Sequence, residues 1–278
     1  MNRSPSHKMT YSNIDWNELW QNAREQKSWN SKKPSDWDQK AASFSKRNKN
    51  SPYVSLFLAK LPLDPSMSVL DVGCGPGTLA IPLAKQVTSV TCIDYSQAML
   101  ELVEKRALDN GLHTIRTVNC SWEDDWKQHG VEPHDITISS RSIGVGDLHG
   151  ALTKLNAYAK RFVFVTDRIS PTPFDPEAFA AVGRDFNAGP DYIYTVNCLY
   201  SMGIHPSVNI LQLDKNFTFT TMADAVDSYS WMFQELSPVE ERKLEAYVQS
   251  RVVDSDDQQI VVRRKHPPRW AMIWWEKE

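Results

Sequence analysis

Cysteine is scarce in this chain: Cys74, Cys92, Cys120 and Cys198 are the only four among 278 residues, and no two form a C-x-x-C pair. That spacing argues against a disulfide framework and against a cysteine-built zinc site. Three of the four lie in or beside apolar, strand-like runs, so the set reads as buried free thiols of a reducing compartment. Long apolar runs are also missing; none approaches the roughly 20 residues that a membrane-spanning helix needs. Residues 1–13 are polar and lack the apolar centre of a signal peptide, so the predicted location is cytoplasmic. Positive charge is not in excess. Lys and Arg total 31 against 34 Asp and Glu, for a net charge of −3 and a pI of about 6.2. A nucleic-acid-binding domain usually needs a basic face, and this balance offers none. The one basic cluster, Arg263-Arg264-Lys265-His266, reads as a solvated strand end or turn.

What is present is an ordinary globular composition, 41% hydrophobic and 23% charged. The length suits one large α/β domain with additions. Residues 1 to about 12 are expected to be disordered. Residues 14–60 read as helices: Ile14, Trp16, Leu19 and Trp20 fall at helical spacing, and Phe44, Tyr53, Val54, Phe57 and Leu58 form a second apolar face. Strands and helices then alternate. Strands are predicted at 68–72, 89–93, 114–118, 135–139 and 161–166, and helices at 78–86, after the Ser96 cap, and at 148–160. This order predicts a parallel sheet wrapped on both faces, with the carboxyl ends of its strands along one ligand-binding edge. Residues 171–190 read as a long loop or cap. Residues 192–202 look helical, 208–214 and 218–220 extended, and 222–250 like two helices broken near Ser237-Pro238. Segments 260–264 and 270–275 are expected to close the fold as a hairpin. The division predicted is an N-terminal helical extension or lid over 1–60, then one domain over 61–278 with a helical insertion at about 217–258.

The chemistry is concentrated in the run Val69-Leu70-Asp71-Val72-Gly73-Cys74-Gly75-Pro76-Gly77-Thr78-Leu79-Ala80. A strand runs into a turn with glycine at every second position and then into a helix. Without Cβ atoms, such a turn can press a ligand against main chain. The next strand ends at Asp94, where a carboxylate matches the two hydroxyls of a ribose; a helix-capping role is the alternative. The segment Gly75–Ala80 also fits G-x-G-x-x-G/A, so a nicotinamide dinucleotide is a competing ligand. Two details disfavour it. The glycines begin at Gly73, and Asp71 stands two residues before them. An anionic side chain would repel a pyrophosphate but attract a cationic amine and sulfonium. Asp71 could also be a buried acid satisfied by backbone amides.

Segment 69–84, together with Asp94-Tyr95-Ser96-Gln97-Ala98-Met99-Leu100, resembles the class I, Rossmann-like S-adenosylmethionine-dependent methyltransferases, particularly those acting on small molecules. The resemblance covers about residues 65–166. It implies an α/β, doubly wound seven-stranded sheet, mostly parallel with an antiparallel last strand, and S-adenosyl-L-methionine as cofactor. By position, Asp71 would lie near the methionyl amine, and Gly73, Gly75 and Gly77 would form the cofactor turn. Asp94 would hold the ribose, with Tyr95 packing on the adenine. Ser121, Trp122 and Glu123 are candidates for reading the adenine, although Trp122 replaces a small residue and suits a packing role. Ser140 and Arg141, after the fourth strand, would face the methionyl tail and the substrate. Arg141 could grip a carboxylate of cofactor or substrate, or pair with Asp147. The N-P-P-Y motif of base and glutamine amino-methyltransferases is absent. Arsenic methylation, which needs several reactive thiols, is discounted because only Cys198 lies outside the sheet core.

A sulfonium methyl donor is already activated, so a general base is needed only if the nucleophile must lose a proton. His149, His205, Tyr192 and Tyr194 are candidate bases, each with a surface or packing role as its alternative. The acceptor pocket is expected from the N-terminal helices, with Trp16, Trp20, Trp29, Trp37 and Tyr53, and from segment 190–197. Most of these aromatics are expected to anchor the helices to the sheet. The expectation is an enzyme methylating a small molecule, without a resident metal or a nucleic-acid or membrane partner, as a monomer or homodimer. The alternatives are a cofactor-binding regulatory protein that has lost catalysis, and a nicotinamide-dependent dehydrogenase.

Overall fold

The structure is a computed structural model, and it describes residues 10–29, 33–39, 41 and 51–277. The expectations for residues 1–9 and for Phe44 lie outside the described residues. Helix α1 (Trp16–Glu25) starts at Asp15, whose carboxylate accepts from the N–H groups of Asn17 and Glu18; this is a standard N-cap. The described part of α2 covers 34–39, and α3 is Pro52–Leu58. The alternating region follows as β1 (Ser68–Val72), α4 (Ala80–Leu83), β2 (Ser89–Asp94), α5 (Gln97–Asp109), β3 (Ile115–Asn119), β4 (His134–Ser140), α6 (Leu148–Tyr158) and β5 (Ala159–Arg168). Helix α4 is shorter than predicted. Its ladder stops at Leu83, where the N–H groups of Gln86 and Val87 both turn back to one carbonyl.

The remainder comprises α7 (Pro176–Val182), α8 (Tyr192–Ser201), β6 (Ser207–Gln212), β7 (Asn216–Phe219), α9 (Met222–Ser230), α10 (Pro238–Ser250), β8 (Val252–Ser255), β9 (Ile260–Arg263) and β10 (Arg269–Glu276). The main sheet has the order β3-β2-β1-β4-β5-β10-β6. Six strands are parallel; β10 alone runs antiparallel, between β5 and β6. This is the doubly wound α/β sheet with an antiparallel last strand.

Successive residues along each strand face opposite layers. Leu70, Val72 and Ile93 point to the side covered by α1, α6 and α8, through Trp20, Leu152 and Leu199. Val69, Val90 and Cys92 point to the side covered by α3, α4 and α5, through Phe57, Leu83 and Val103. A third cluster, with Phe179, Tyr229 and Leu244 at its centre, joins α7, α9 and α10 to the small sheet β7-β9-β8. All four cysteines are buried free thiols, as their apolar settings suggest. Among the described residues, no helix is long and apolar enough to cross a membrane.

Two sequence readings are corrected. Residues 171–190 are not only a loop: α7 forms there, started by the Asp175 carboxylate and ended by Gly183 at φ 86°. The expected hairpin of 260–264 with 270–275 does not form. Strand β9 pairs with β7 and β8, whereas β10 enters the main sheet. Burial explains the choice. Trp270, Ala271, Met272 and Ile273 are buried on both faces, as an interior strand requires. In β9 only Val262 is fully buried, which suits a small sheet with one solvated face.

Candidate functional site

The turn after β1 is held from two sides. The N–H groups of Gly73 and Cys74 donate to the Ile93 carbonyl at 2.8 and 3.0 Å, and Arg106 of α5 donates to the Pro76 carbonyl at 2.6 Å. Gly73 sits at φ +70°, and a Cβ there would stand 2.4 Å from the Cβ of Ser142. No side chain fits that distance, so the turn and the β4 end approach as closely as backbone permits. Ser142 completes the contact by donating to the Val72 carbonyl at 2.7 Å.

Asp71 lies beneath this turn with 1% of its surface exposed. Its Oδ2 has no hydrogen-bond partner in the protein, so backbone amides do not satisfy the carboxylate. Burial, and then the charge of Asp94, push its pKa up to about 7. A buried acid left with an open acceptor is costly by itself. It is suited to receive a cationic donor arriving over the glycine turn. Asp94 is better satisfied: Oδ2 accepts from Gly75 N–H at 2.8 Å and Oδ1 from Ser96 N–H at 2.9 Å. Burial still raises its pKa. It therefore ties the glycine turn to the start of α5, where Ser96 is the N-cap.

The N-terminal segment reaches this place. Ser96 Oγ donates to Asp38 of α2 at 2.5 Å, and Ala98 N–H donates to the same oxygen at 3.3 Å. Tyr95 is raised to about 12 by burial and then by the charges of Asp94, Asp36 and Glu123, with Trp37 as a hydrogen-bond partner. The structure thus gathers Asp94, Tyr95, Glu123 and Trp37. Trp122 packs against Trp126, with ring centroids 5.6 Å apart, and its carbonyl accepts from Lys154 at 2.7 Å. Ser121 serves its own loop, receiving the N–H of Glu123 on its Oγ and donating its N–H to Asp124.

Beyond the glycine turn, Ser140 Oγ lies 2.7 Å from the hydroxyl of Tyr53, which also meets Thr166 Oγ1 at 2.8 Å. Tyr53 is fully buried. Arg141 adopts φ 60°, a left-handed conformation rare for a side-chain-bearing residue. Its N–H donates to both the carbonyl and the Oγ1 of Thr166. Its guanidinium lies 4.3 Å over the Tyr53 ring and 5.7 Å from the Trp270 ring centre. Asp147 does not pair with it; that carboxylate caps α6 by accepting from Gly150 N–H.

Arg141 opens onto a cavity of about 120 Å³, also lined by Trp20, Arg24, Lys27, Arg168 and Trp270. Helix α1 is fastened over it by Trp20, whose indole N–H donates to the Val145 carbonyl at 2.8 Å. Trp29 donates likewise to Ala188 at 2.9 Å. These two tryptophans anchor the N-terminal segment and wall the cavity as well. None of the candidate bases lines it. His149 is exposed on α6, where its N–H meets Asn17 Oδ1. His205 stands edge-on to Tyr200. Tyr192 packs on the core, and Tyr194 meets the rings of Trp16 and Trp20 edge-on at 6.4 and 6.3 Å. Reading the sequence alone missed Arg24, Lys27, Asp38, Ser142 and Arg168, which no local motif marks.

Similarity to known proteins points to a methyltransferase fold. A family model described as "Methyltransferase domain" matches residues 69–162. A Haemophilus influenzae protein, described only as uncharacterized, is 34% identical over 245 residues, covering 87% of this chain and 89% of its own. The ubiquinone biosynthesis O-methyltransferase of Pasteurella multocida is 56% identical over 45 residues, 16% of this chain and 19% of that one. Other partial matches, covering 42–48% of this chain, are 23S rRNA (uracil(1939)-C(5))-methyltransferases. Among solved structures, a Bacillus halodurans C-125 protein provisionally assigned as a methyltransferase superposes with a TM-score of 0.55. It is 16% identical and covers 82% of this chain and 99% of that one, a likeness of fold.

Proposed function

Because the chain belongs to the class I S-adenosylmethionine-dependent methyltransferases, we propose that it methylates a small-molecule acceptor seated in the cavity beside Arg141. S-adenosylmethionine, the cofactor of this family, supplies a methyl group already activated on a sulfonium. The residues present fit it. Asp71, with its open Oδ2, meets the methionyl ammonium, and the Gly73–Gly77 turn takes the chain of the ligand against main chain. Asp94 holds the ribose hydroxyls, and Tyr95 packs on the adenine beside Glu123. Ser121 and Trp122 act there only by shaping the loop, since the Ser121 N–H and Oγ are taken by Asp124 and Glu123 and the Trp122 carbonyl by Lys154 of α6. Ser140 acts through Tyr53, as a positioning residue for Arg141.

The protein's remaining task is alignment and the exclusion of water. The described N-terminal helices act as a lid: α1 roofs the cavity, and Asp38 fastens α2 to the N-terminus of α5. The single observation that carries the small-molecule reading is this roof. A cavity of about 120 Å³ beneath a fastened helix admits a small head group, and a polymer would first have to displace α1. The absence of a basic surplus agrees. No histidine or tyrosine candidate reaches the cavity, so an acceptor that is already nucleophilic, or that ionises readily, suits the site.

The test is incubation with methyl-labelled S-adenosylmethionine and fractionated cell extract. Label in the small-molecule fraction is the expected result. Label in RNA would replace the acceptor assignment, and cofactor binding without transfer in any fraction would favour a regulatory role. Stabilisation by NADH in place of S-adenosylhomocysteine would point to a dehydrogenase.

A further inference from the structure

Granting that methyltransferase reading, the cavity beyond Arg141 has a lining that selects its ligand. Four cationic side chains reach it from distant parts of the chain: Arg24 and Lys27 from α1 and the turn after it, Arg141 from the end of β4, and Arg168 from the end of β5. Among the described residues Asp167 is the only acid in the lining, and its carboxylate is already engaged by Thr195 Oγ1 and the Arg168 N–H at 2.9 and 2.7 Å. Among the described residues no carboxylate lies within 4.0 Å of the guanidinium of Arg24 or Arg141.

Aromatic faces take up part of this charge. Lys27 Nζ lies 4.1 Å from the Trp29 ring centre, Arg168 lies 4.9 Å from the same ring, and Arg24 lies 5.8 Å from that of Trp20. Arg168 also donates to the carbonyls of Ala188 and Pro190. Rings and carbonyls are partial counter-charges, and half-buried like charges repel one another more strongly than they would in bulk water. Burial lowers the pKa of Arg24, Arg141 and Arg168. It brings Lys27 to about 8, helped by the charges of Arg24 and Arg168.

We propose that this cavity binds the oxyanion, carboxylate or phosphate, of a small planar methyl acceptor, gripped by Arg24 and Arg141 and bounded by Trp20 and Trp270. Guanidinium groups present donors in a fork that matches either oxyanion. The volume limits the body that carries it: about 120 Å³ is below the roughly 150 Å³ cavity that accommodates benzene, so the enclosed part is the oxyanion and the portion of a ring next to it. Ser142, next to Arg141, touches Gly73 of the cofactor turn. A ligand held at Arg141 is therefore one residue away from the wall of the methyl-donor site.

The experiment uses the full chain saturated with S-adenosylhomocysteine, and calorimetry with benzoate, phenyl phosphate and benzamide. Benzoate or phenyl phosphate is expected to bind at least tenfold more tightly than benzamide, and the stronger of the two identifies the oxyanion. Arg24→Gln and Lys27→Gln, changed separately, are each expected to weaken that anion tenfold while leaving S-adenosylhomocysteine affinity within twofold. The proposal is overturned if benzamide binds as well as the anions, or if none of the three binds. It is also overturned if the variants lose S-adenosylhomocysteine, which would assign the cations to the cofactor's own carboxylate. Wild-type protein that fails to bind S-adenosylhomocysteine would sink the methyltransferase reading separately, and the acceptor role with it.

Discussion

Replacing Asp71 by Asn tests the core of the cofactor site without needing the acceptor. The Asp71 carboxyl keeps its proton to about pH 7 in the folded chain, whereas an unfolded chain releases it near pH 4. Between those values the folded state holds more protons, so stability falls as pH rises through the window and the effect vanishes below it. Integrated from pH 5.5 to 7.5, the linkage amounts to about 2 kcal/mol lost by the cofactor-free wild type. For a chain of this size that is a fall in Tm of about 3 °C. Asp71→Asn carries no such proton, so its Tm should drop less across the same range, and the difference in slope is the readout. The amide's own hydrogen-bonding cost is the same at both pH values and cancels. A ligand ammonium over the glycine turn restores the ionised form. Binding of S-adenosylhomocysteine to the wild type near pH 6 should therefore release close to one proton, measured by calorimetry in buffers of different ionisation enthalpy, and the variant should release none from this site. Equal slopes for the two proteins, or equal proton release, would refute the assignment of Asp71 as an unpaired acid facing the cofactor.

Asp94→Ala should weaken S-adenosylhomocysteine tenfold or more by titration calorimetry, since it removes both a ribose acceptor and the tie between Gly75 and Ser96. Unchanged affinity would discredit the ribose role. Gly73→Ala should abolish measurable cofactor binding and lower Tm, because the new Cβ meets Ser142 at 2.4 Å in a backbone conformation that disfavours any side chain; a variant that binds normally would show that the turn opens freely. Tyr53→Phe leaves Ser140 and Thr166 without their shared partner and should cost about 1–2 kcal/mol in denaturant unfolding. Lys27, lowered to about 8, should regain its proton when an anion enters the cavity. Benzoate or phenyl phosphate binding at pH 9 should then take up a proton in the wild type and none in Lys27→Gln.

Much of the sheet was legible because its determinants are local. The apolar runs of β1, β2, β4 and β5, the glycine turn and the Ser96 cap each act within a few residues. The destiny of 260–275 was not legible, because two strand-like runs carry no record of which neighbours they will pair with. Burial on both faces of β10 and on one face of β9 decided that, and burial is a property of the packed layers. Asp38 capping α5 from 58 residues away lies outside any local pattern. The same holds for the acceptor side. Arg141 stood out in sequence by its place after the fourth strand, but Arg24, Lys27 and Arg168 are unremarkable charges there, each in a different setting. Only the docking of α1 across the ends of β4 and β5 brings them into one enclosed volume. The sequence alone determined the strand, glycine turn and capped helix that we propose as the cofactor's cradle, through contacts between near neighbours in the chain. The tertiary structure decided what that cradle faces, because charge and shape in a cavity are sums over segments that meet only when the layers close.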